Sequence, residues 1–383
     1  MDNYRKIGFN VPYISGKEIE YMSQAIEGKK ISGEDGFNFK CNQWFENKFK
    51  AVKSVITTSC THSLELSALL LDIKSGDEVI MPSYTYVSTA NAFALRGAMC
   101  IFVDINPRTM NIDENRLEAA ITDKTKAIVV VHYAGIACNM DKILDISKKY
   151  NLSIVEDAAQ GFLATYKESY LGTIGDIGCF SFHDTKNITM GQGGAIIINN
   201  KKYEERLMIL RDKGTNKKDF MQGLVDKYTW VDVGSSYVPS EISAAFLYAQ
   251  LEKVDIVNQK RRLLWDEYYN LLIMLENTGL ITLPYIPQHC NHNSHIFYIK
   301  LKDKLVRDEL INYLKGFNIS AFFHFIPLHT SNAGKIFGEF RGVDEFTTIE
   351  SEKLLRLPMH FYLSIEDVSY VVDKIYDFFK QNK

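Results

Sequence analysis

Two segments of the sequence carry side chains that could perform amine chemistry on a bound ring. Glu156 and Asp157 end the apolar run Ser153–Val155, where the Asp157 carboxylate could face a cationic ring nitrogen. Lys186 follows another apolar run and precedes the glycine-rich turn Gly191-Gln192-Gly193-Gly194. A lysine that is partly removed from water has a lowered pKa and can attack an aldehyde as a neutral amine. Together the two segments indicate covalent chemistry with a carbonyl compound.

A third segment, Thr57-Thr58-Ser59-Cys60-Thr61-His62-Ser63, offers hydroxyls and backbone N–H groups at the start of a predicted helix. Such a helix start binds anions, phosphate among them. Each segment alone also fits a purely structural role, since the acids and hydroxyls could cap the next element of the chain and a lone lysine is usually a solvated surface group. In combination they supply a lysine for a Schiff base, an acid for a pyridinium nitrogen and a phosphate site. These are the requirements for binding pyridoxal 5'-phosphate.

The elements that must position these residues alternate between short apolar runs and amphipathic stretches. Several runs are continuous in Ile and Val, which is typical of strands covered on both faces. The predicted strands are Glu78–Met81, Cys100–Val103, Ala127–Val131, Ser153–Val155, Cys179–Phe182 and Ala195–Ile198. The predicted helices between or before them are Ser63–Leu71, Tyr86–Leu95, Glu114–Ile121 and Lys142–Tyr150. This alternation predicts an α/β fold with a mainly parallel sheet, whose ligands bind beyond the carboxyl ends of the strands.

The pattern changes after residue 198. We predict a helix over 202–213, a polar loop to about residue 235 and one helical segment over 240–275. A strand (Ile296–Leu301), a helix (Val306–Gly316), an extended stretch (Ile319–Phe325) and a last helix (Ile365–Phe379) follow. We therefore predict a large cofactor-binding domain over residues 1–245. A linking helix and a small C-terminal α+β domain would occupy residues 246–383.

Composition excludes several classes of protein. The chain has 383 residues, 46% of them hydrophobic and 24% charged, which argues against a disordered or fibrous protein. Its net charge of −3 provides no general attraction to nucleic acid or anionic lipid. The first ten residues lack the apolar stretch of a signal peptide, and no run approaches the roughly 18 apolar residues of a membrane span. We expect a cytoplasmic protein that binds neither nucleic acid nor membranes.

A tract rich in histidine lies at residues 289–295, where His289, Cys290, His292 and His295 could be soft-metal ligands. A zinc site usually has a second ligand group at a defined distance, and the sequence shows none. We therefore interpret this tract as a polar loop and expect no metal. The six cysteines form no Cys-x-x-Cys pair, so we expect reduced thiols and no disulfide framework.

The order of the motifs resembles the DegT/StrS family of sugar aminotransferases, and the resemblance covers almost the whole chain. The shared stretches are Ser59-Cys60-Thr61, Pro82–Tyr86, Val131–Gly135, Asp157–Gln160, Lys186 with its surroundings, Gly234–Tyr237, Pro327–His329 and Leu355–Pro358. The resemblance implies the aspartate-aminotransferase fold (fold type I), pyridoxal 5'-phosphate as cofactor, and a nucleotide-linked keto-sugar as substrate. It also implies a homodimer with shared active sites.

The resemblance also implies a role for individual residues. Lys186 would form the Schiff base and carry the proton, Asp157 would keep the pyridine nitrogen protonated, and Gln160 would lie by the phenolic oxygen. Tyr86 would stack on the ring, and His329 would face the sugar. The phosphate would be bound by Cys60, Thr61 and Ser181, joined by Ser236 from the neighbouring subunit.

Four positions bear on how far the resemblance extends. Many members of the family have Asn at the position of Ser236 and Arg at that of Val238, which weakens the expected contact between subunits. Gln192 stands where Glu is common. Relatives with histidine in place of Lys186 dehydrate sugars, so Lys186 favours transamination.

The expected reaction transfers an amino group from L-glutamate to C4 of a dTDP-4-keto-6-deoxyhexose. The products would be dTDP-4-amino-4,6-dideoxygalactose and 2-oxoglutarate, for the biosynthesis of a surface polysaccharide such as the O-antigen of lipopolysaccharide. The alternatives are dTDP-4-amino-4,6-dideoxyglucose, amination at C3, and a protein that binds a nucleotide sugar without catalysis.

Overall fold

The structure is a computed structural model that describes residues 6–29, 31–33 and 35–381. Its thirteen strands within those ranges are β1 (Lys53–Thr57), β2 (Glu78–Pro82), β3 (Met99–Val103), β4 (Thr125–Val131), β5 (Ser153–Asp157), β6 (Thr165–Tyr166), β7 (Ser169–Tyr170), β8 (Ile177–Ser181), β9 (Gly194–Ile198), β10 (Cys290–Asn291), β11 (Phe297–Lys300), β12 (Gly338–Phe340) and β13 (Leu354–Leu357).

The α-helices in the same ranges lie mostly between these strands. They are α1 (Glu18–Glu27), α2 (Phe37–Phe49), α3 (Cys60–Leu70), α4 (Val87–Ala94), α5 (Leu117–Ala120), α6 (Met140–Tyr150), α7 (Glu204–Leu210), α8 (Lys217–Met221), α9 (Glu241–Leu251), α10 (Val254–Asn277), α11 (Lys304–Gly316), α12 (Asn332–Phe337), α13 (Thr347–Lys353) and α14 (Ile365–Gln381).

The central sheet has eight strands in the order β1-β9-β8-β5-β4-β2-β3-β12. All neighbours from β8 to β12 are parallel, and β9 runs antiparallel to both β1 and β8. The carboxyl ends of the parallel strands therefore meet at one edge of the sheet. This arrangement confirms the predicted mainly parallel sheet.

Both faces of the sheet are covered, which explains the continuous apolar strands. In β4 the side chains of Ile128 and Val130 lie in one core, and those of Ala127 and Val129 lie in another. Successive side chains of a strand point to opposite faces, so an unbroken apolar run is needed to fill both cores. Helices α2, α6 and α9 contribute to the first core, whereas α3, α4 and α7 contribute to the second.

A smaller sheet forms from β11 and β13, which pair antiparallel. A third core lies against it, to which α10, α11 and α14 contribute. Ile7 also belongs to this core and forms a bridge with Ile319, so the start of the described chain packs with its C-terminal part. The division of the chain near residue 245 stays a prediction.

Three predicted elements differ from the structure. The helix predicted over 114–121 is reduced to α5, because residues 113–116 form a turn in which Asp113 accepts from the side chain of Asn115. The single helix predicted over 240–275 is divided into α9 and α10. The predicted loop before residue 235 contains α8. Six strands were not predicted, namely β1, β12, β13 and the two-residue strands β6, β7 and β10.

Candidate active site

A cavity of about 420 Å³ lies at the edge of the sheet where β5 and β8 end. It brings together seven of the residues singled out in the sequence, together with Gln192. The seven are Cys60, Thr61, Tyr86, Asp157, Gln160, Ser181 and Lys186. The prediction that chemistry occurs beyond the strand ends thus agrees with the geometry.

Asp157 is the last residue of β5, and its carboxylate is held by two donors. The hydroxyl of Thr89 donates to Oδ2 at 2.7 Å, and the backbone N–H of Ala159 donates to Oδ1 at 3.2 Å. Burial raises the pKa of Asp157, while these hydrogen bonds and the charge of Lys186 oppose the increase. A buried carboxylate in this setting gains most from a cationic partner, because Coulomb attraction is strong where water is excluded.

The neighbouring acid, Glu156, has a different environment because it points to the opposite face of the strand. It is fully buried and accepts hydrogen bonds from the Nε2 of His132 at 2.9 Å and from three backbone N–H groups. Those groups belong to Gly172, Ile174 and Gly175, at 2.8, 2.6 and 2.6 Å. Glu156 therefore holds the turn before β8, and of the two acids only Asp157 lines the cavity.

Lys186 lies in the turn after β8, where its backbone N–H donates to the carbonyl of His183 at 2.9 Å. Burial lowers the pKa of the Lys186 amine, although the nearby Cys60 and Asp157 oppose this effect. A lowered pKa increases the fraction of neutral amine, which is the nucleophilic form. The environment of Lys186 is thus compatible with the predicted amine chemistry, and its catalytic role stays a prediction.

Helix α3 begins at the cavity wall, where its first turn presents groups that could bind an anion. Ser59 caps the helix by accepting from the backbone N–H of His62 at 3.1 Å, and the hydroxyls of Thr61 and Ser88 lie 2.8 Å apart. The first N–H groups of a helix and its dipole attract a phosphate. Gly194 permits this packing, since a Cβ at that position would lie 2.5 Å from the backbone nitrogen of Cys60.

Gln160 and Tyr86 form further parts of the wall. The side-chain Oε1 of Gln160 accepts from the backbone N–H of Ala134 at 2.7 Å, which leaves its NH₂ group as a donor toward the cavity. Tyr86 is 59% exposed and lies next to Phe325, with ring centroids 6.1 Å apart.

These residues fit pyridoxal 5'-phosphate. A desolvated lysine, a buried carboxylate and a helix start with several hydroxyls line one cavity, and each has the chemistry that one end of this cofactor requires. Within the described residues no group of three His, Cys, Asp or Glu side chains is arranged to bind a metal ion.

Two predicted residues lie outside the cavity. Ser236 is exposed, and its backbone forms a bridge with Asp212. Both ring nitrogens of His329 have partners, since Nδ1 lies 2.7 Å from the Ser83 hydroxyl and Nε2 lies 3.1 Å from Oδ2 of Asp344. A role for either residue toward a ligand stays a prediction.

Sequence reasoning did not assign several residues that the structure brings to the site. Thr89 supports Asp157, and Ser88 joins the hydroxyls near α3. His295, His324 and Arg356 line the cavity from the C-terminal part of the chain. The sequence does not link these three residues to the site, because they lie far along the chain from the strands that form it. The one available signal is Arg356, which is a charged residue inside an apolar run.

Comparison with known proteins decides the family. The model of the DegT/DnrJ/EryC1/StrS aminotransferase family matches residues 12–376. The chain belongs to this family. It is 36% identical to the uncharacterized protein MJ1066 of Methanocaldococcus jannaschii, over 97% of both chains. It is 32% identical to the GDP-perosamine synthase of Escherichia coli O157:H7, over 96% of this chain and 97% of that one.

Solved structures confirm the fold and the cofactor. Spr1654 of Streptococcus pneumoniae is 25% identical in its pyridoxal-phosphate form, with a TM-score of 0.88 over 98% of this chain and 99% of that one. The aminotransferase TlmJ of Streptoalloteichus hindustanus shares the fold with a TM-score of 0.90, over 99% of this chain and 100% of that one, at 24% identity. This member of the family is an aminotransferase that uses pyridoxal phosphate, with the predicted fold of type I. In the described part of the chain, no helix is both long and apolar enough to cross a membrane.

Proposed function

We propose that this aminotransferase transfers an amino group from L-glutamate to C4 of a dTDP-4-keto-6-deoxyhexose. The product would be dTDP-4-amino-4,6-dideoxygalactose, a precursor of surface polysaccharide, released together with 2-oxoglutarate. The observation that carries the amino transfer is the presence of Lys186 and Asp157 in one cavity. The choice of sugar rests on a resemblance to dTDP-4-amino-4,6-dideoxygalactose transaminase in the stretches Ser59-Cys60-Thr61, Gly76–Thr85, Lys213–Asn216 and Asp226–Trp230.

In this proposal Asp157, Ser181 and the start of α3 bind the cofactor, and Lys186 transfers the proton. Bound pyridoxal phosphate supplies an aldehyde and an electron-withdrawing ring. Asp157 keeps a proton on the ring nitrogen, and the start of α3 with Ser181 binds the phosphate. The Nζ of Lys186 accepts the α-proton of the amino acid and later donates a proton to the sugar carbon, a task that favours an amine of lowered pKa.

A GDP-linked keto-sugar is the second candidate substrate. Two relatives at 32% and 33% identity, from Escherichia coli O157:H7 and Caulobacter vibrioides, are GDP-perosamine synthases. Their similarity extends over 96% and 86% of this chain, so the nucleotide must be determined by experiment.

The decisive experiment incubates the enzyme with glutamate and each of four substrates, namely the 4-keto-6-deoxy and 3-keto-6-deoxy sugars linked to dTDP or to GDP. Formation of 2-oxoglutarate in excess over the enzyme identifies the accepted substrate, and NMR coupling constants of the product determine the configuration at C4. We expect turnover with the dTDP-linked 4-keto-sugar and a galacto product, and Lys186→Ala serves as the inactive control. A gluco product, amination at C3, or preference for the GDP-linked sugar would contradict the proposal.

We also propose a homodimer whose active sites are shared. The segment 220–233 exposes several large apolar side chains, namely Phe220, Met221, Leu224, Tyr228, Trp230, Val231 and Val233. Trp230 is 76% exposed, which is unusual for a side chain of this size. Burial against a second copy would remove this surface from water and would place the adjacent Ser236 next to the partner subunit.

A further inference from the structure

His295 lines the active-site cavity and is only 7% exposed. Its Nδ1 lies 3.0 Å from Oδ1 of Asn187, the residue that follows Lys186. Its Nε2 has no hydrogen-bond partner in the described part of the chain and is accessible from the cavity. Polar atoms in protein interiors are normally hydrogen-bonded, so an unpaired one in a cavity wall is available to a ligand.

The side chain of Asn187 determines which ring nitrogen of His295 carries the hydrogen. Its NH₂ group donates to the backbone carbonyl of Asn293 at 2.9 Å and to Oδ1 of Asn258 at 3.0 Å. A backbone carbonyl can only accept, so this end of the amide is the NH₂ group and the other end is the oxygen. Nδ1 of His295 therefore donates to Oδ1 of Asn187. A neutral imidazole has one donor and one acceptor, which leaves Nε2 as the acceptor.

The imidazole of His295 is neutral at physiological pH. Burial lowers its pKa well below the usual value, and the positive charges of Lys186, Arg261 and Arg356 add to this effect. The cavity thus contains a neutral acceptor in a cationic environment. This environment repels an ammonium group, and Nε2 has no hydrogen to donate to a carboxylate. The acceptor therefore suits the O–H group of a hydroxyl.

Hydrogen bonds hold the chain around His295 in place. The buried guanidinium of Arg261 donates to the backbone carbonyl of His295. Oδ1 of Asn293 accepts from the backbone N–H of His295 at 3.2 Å, while its NH₂ group donates to the backbone carbonyl of Gln160 at 2.9 Å. The contact between His295 and the residue after Lys186 completes this network. The imidazole is therefore held in a fixed position relative to Gln160 and Lys186.

The proposed function, on which this inference rests, brings two substrates to the cavity. Glutamate has no hydroxyl group, whereas the keto-sugar has several. C4 of the sugar must lie within reach of Nζ of Lys186. Of the two ring carbons next to C4, C5 carries only a methyl group and the ring oxygen, and C3 carries a hydroxyl. His295 lies close enough to Lys186 for the charge of the amine to affect the imidazole, so the hydroxyl on C3 suits Nε2 best.

We propose that Nε2 of His295 accepts a hydrogen bond from the hydroxyl on C3 of the 4-keto-sugar and thereby orients the sugar with C4 near Lys186. Asn187 acts as a positioning residue, because its oxygen selects the tautomer in which Nε2 is an acceptor. The contact makes a free hydroxyl on C3 a requirement for tight binding of the sugar.

Calorimetric binding of an unreactive sugar tests this inference without turnover. The probe is 6-deoxygalactose linked to dTDP, or to GDP if the enzyme accepts the GDP-linked keto-sugar, together with the 2-deoxy and 3-deoxy analogues of this probe. His295→Asn keeps an NH₂ group for the contact with Asn187 and removes the acceptor at the position of Nε2. We expect this variant to bind the probe and its 2-deoxy analogue about tenfold more weakly than the wild type does. Its affinity for the 3-deoxy analogue should change less than twofold.

Three controls separate this contact from a general disturbance of the cavity. His289→Asn is the matched variant, because His289 is exposed in the same tract and does not line the cavity, so all affinities should stay unchanged. The half-saturating concentration of glutamate in the donor half-reaction should change less than threefold in His295→Asn. Asn187→Asp, which keeps an acceptor for Nδ1, should still prefer the probe over its 3-deoxy analogue, whereas Asn187→Ala should lose most of this preference.

Two results would overturn the assignment of the hydroxyl. Equal losses with the probe and its 3-deoxy analogue, or no loss with either, would show that Nε2 does not bind the hydroxyl on C3. A loss in His295→Asn that disappears with the 2-deoxy analogue would assign Nε2 to C2 instead. If the wild type binds neither the dTDP-linked nor the GDP-linked sugar, the proposed function is wrong and this inference with it, whereas binding without the expected difference refutes this inference alone.

Discussion

Glu156 and Asp157 are adjacent in sequence, yet replacing each by its amide should have a different effect. Glu156→Gln should lower the stability of the fold, whereas Asp157→Asn should mainly reduce the reaction. Glu156→Gln replaces one carboxylate oxygen by an NH₂ group in a site that contains only donors. Oε1 accepts from Ile174 and Gly175, and Oε2 accepts from Gly172 and His132.

Either orientation of the new amide leaves two buried donors without an acceptor. His132 cannot adapt by exchanging its tautomer, because its Nδ1 already accepts from the backbone N–H of Cys138 at 3.2 Å. Each unsatisfied buried donor costs about 1–3 kcal/mol, so we expect Glu156→Gln to lower the free energy of unfolding by about 4 kcal/mol. That is a large part of the stability of a typical domain.

The assay is urea unfolding of the cofactor-free protein, followed by circular dichroism, with Asp157→Asn as the matched control. Asp157 has two donors and faces the cavity, so its amide should change stability by less than about 1 kcal/mol and reduce the donor half-reaction about 100-fold or more. If Glu156→Gln unfolds like the wild type, or if Asp157→Asn keeps normal turnover, the assignment of the two acids is wrong.

Three other predictions concern the cofactor and the sharing of sites between subunits. The first is the rate at which pyridoxal phosphate attaches to Lys186 of the cofactor-free enzyme, measured by trapping the product with borohydride. This rate should rise with pH and level off, and its midpoint should lie below pH 10.5 because burial favours the neutral amine. Asp157→Asn should lower this midpoint further, since Asp157 favours the charged amine; labelling of another lysine would contradict the assignment. Gly194→Ala should weaken cofactor binding about tenfold, because the new Cβ displaces the start of α3. The control Gly316→Ala should not weaken it, since no atom lies within 4 Å of its new Cβ. If both variants bind the cofactor equally well, the close contact between Gly194 and the start of α3 is wrong. Mixed dimers of Lys186→Ala and Ser236→Trp subunits should regain up to about half the activity of a normal dimer. One site then carries both substitutions, and the other site carries neither. If size-exclusion chromatography confirms the dimers and no activity is recovered, Ser236 belongs to the site of its own subunit.

The central sheet was predictable because its strands are buried on both faces. Such strands require continuous apolar runs, and the six predicted runs all lie in the sheet to within about two residues. β12 could not be recognised, since three residues, Gly-Glu-Phe, carry no pattern, and its pairing with β3 depends on packing distant in sequence. The break between α9 and α10 contains neither Gly nor Pro, so local propensity gives no sign of it.

In the candidate site, too, the residues next to predicted strands could be placed from the sequence, whereas residues positioned by distant packing could not. Asp157 ends β5 and Lys186 follows β8, and the two strands are parallel, so topology alone places both residues at one edge of the sheet. Arg356 could not be assigned from its segment, because its direction depends on the register between β13 and its neighbours. Glu156 could not be separated from Asp157 until the face of β5 to which each side chain points was known.

The position of β12 constrains how the chain reaches its final structure. β3 is paired on one side by β2, and its other side is covered by Gly338–Phe340, near the far end of the chain. During synthesis the open side of β3 stays available to any other strand until this segment emerges. A protein truncated before Gly338 would keep that edge exposed permanently, so we expect such fragments to aggregate even though all other strands of the central sheet are present.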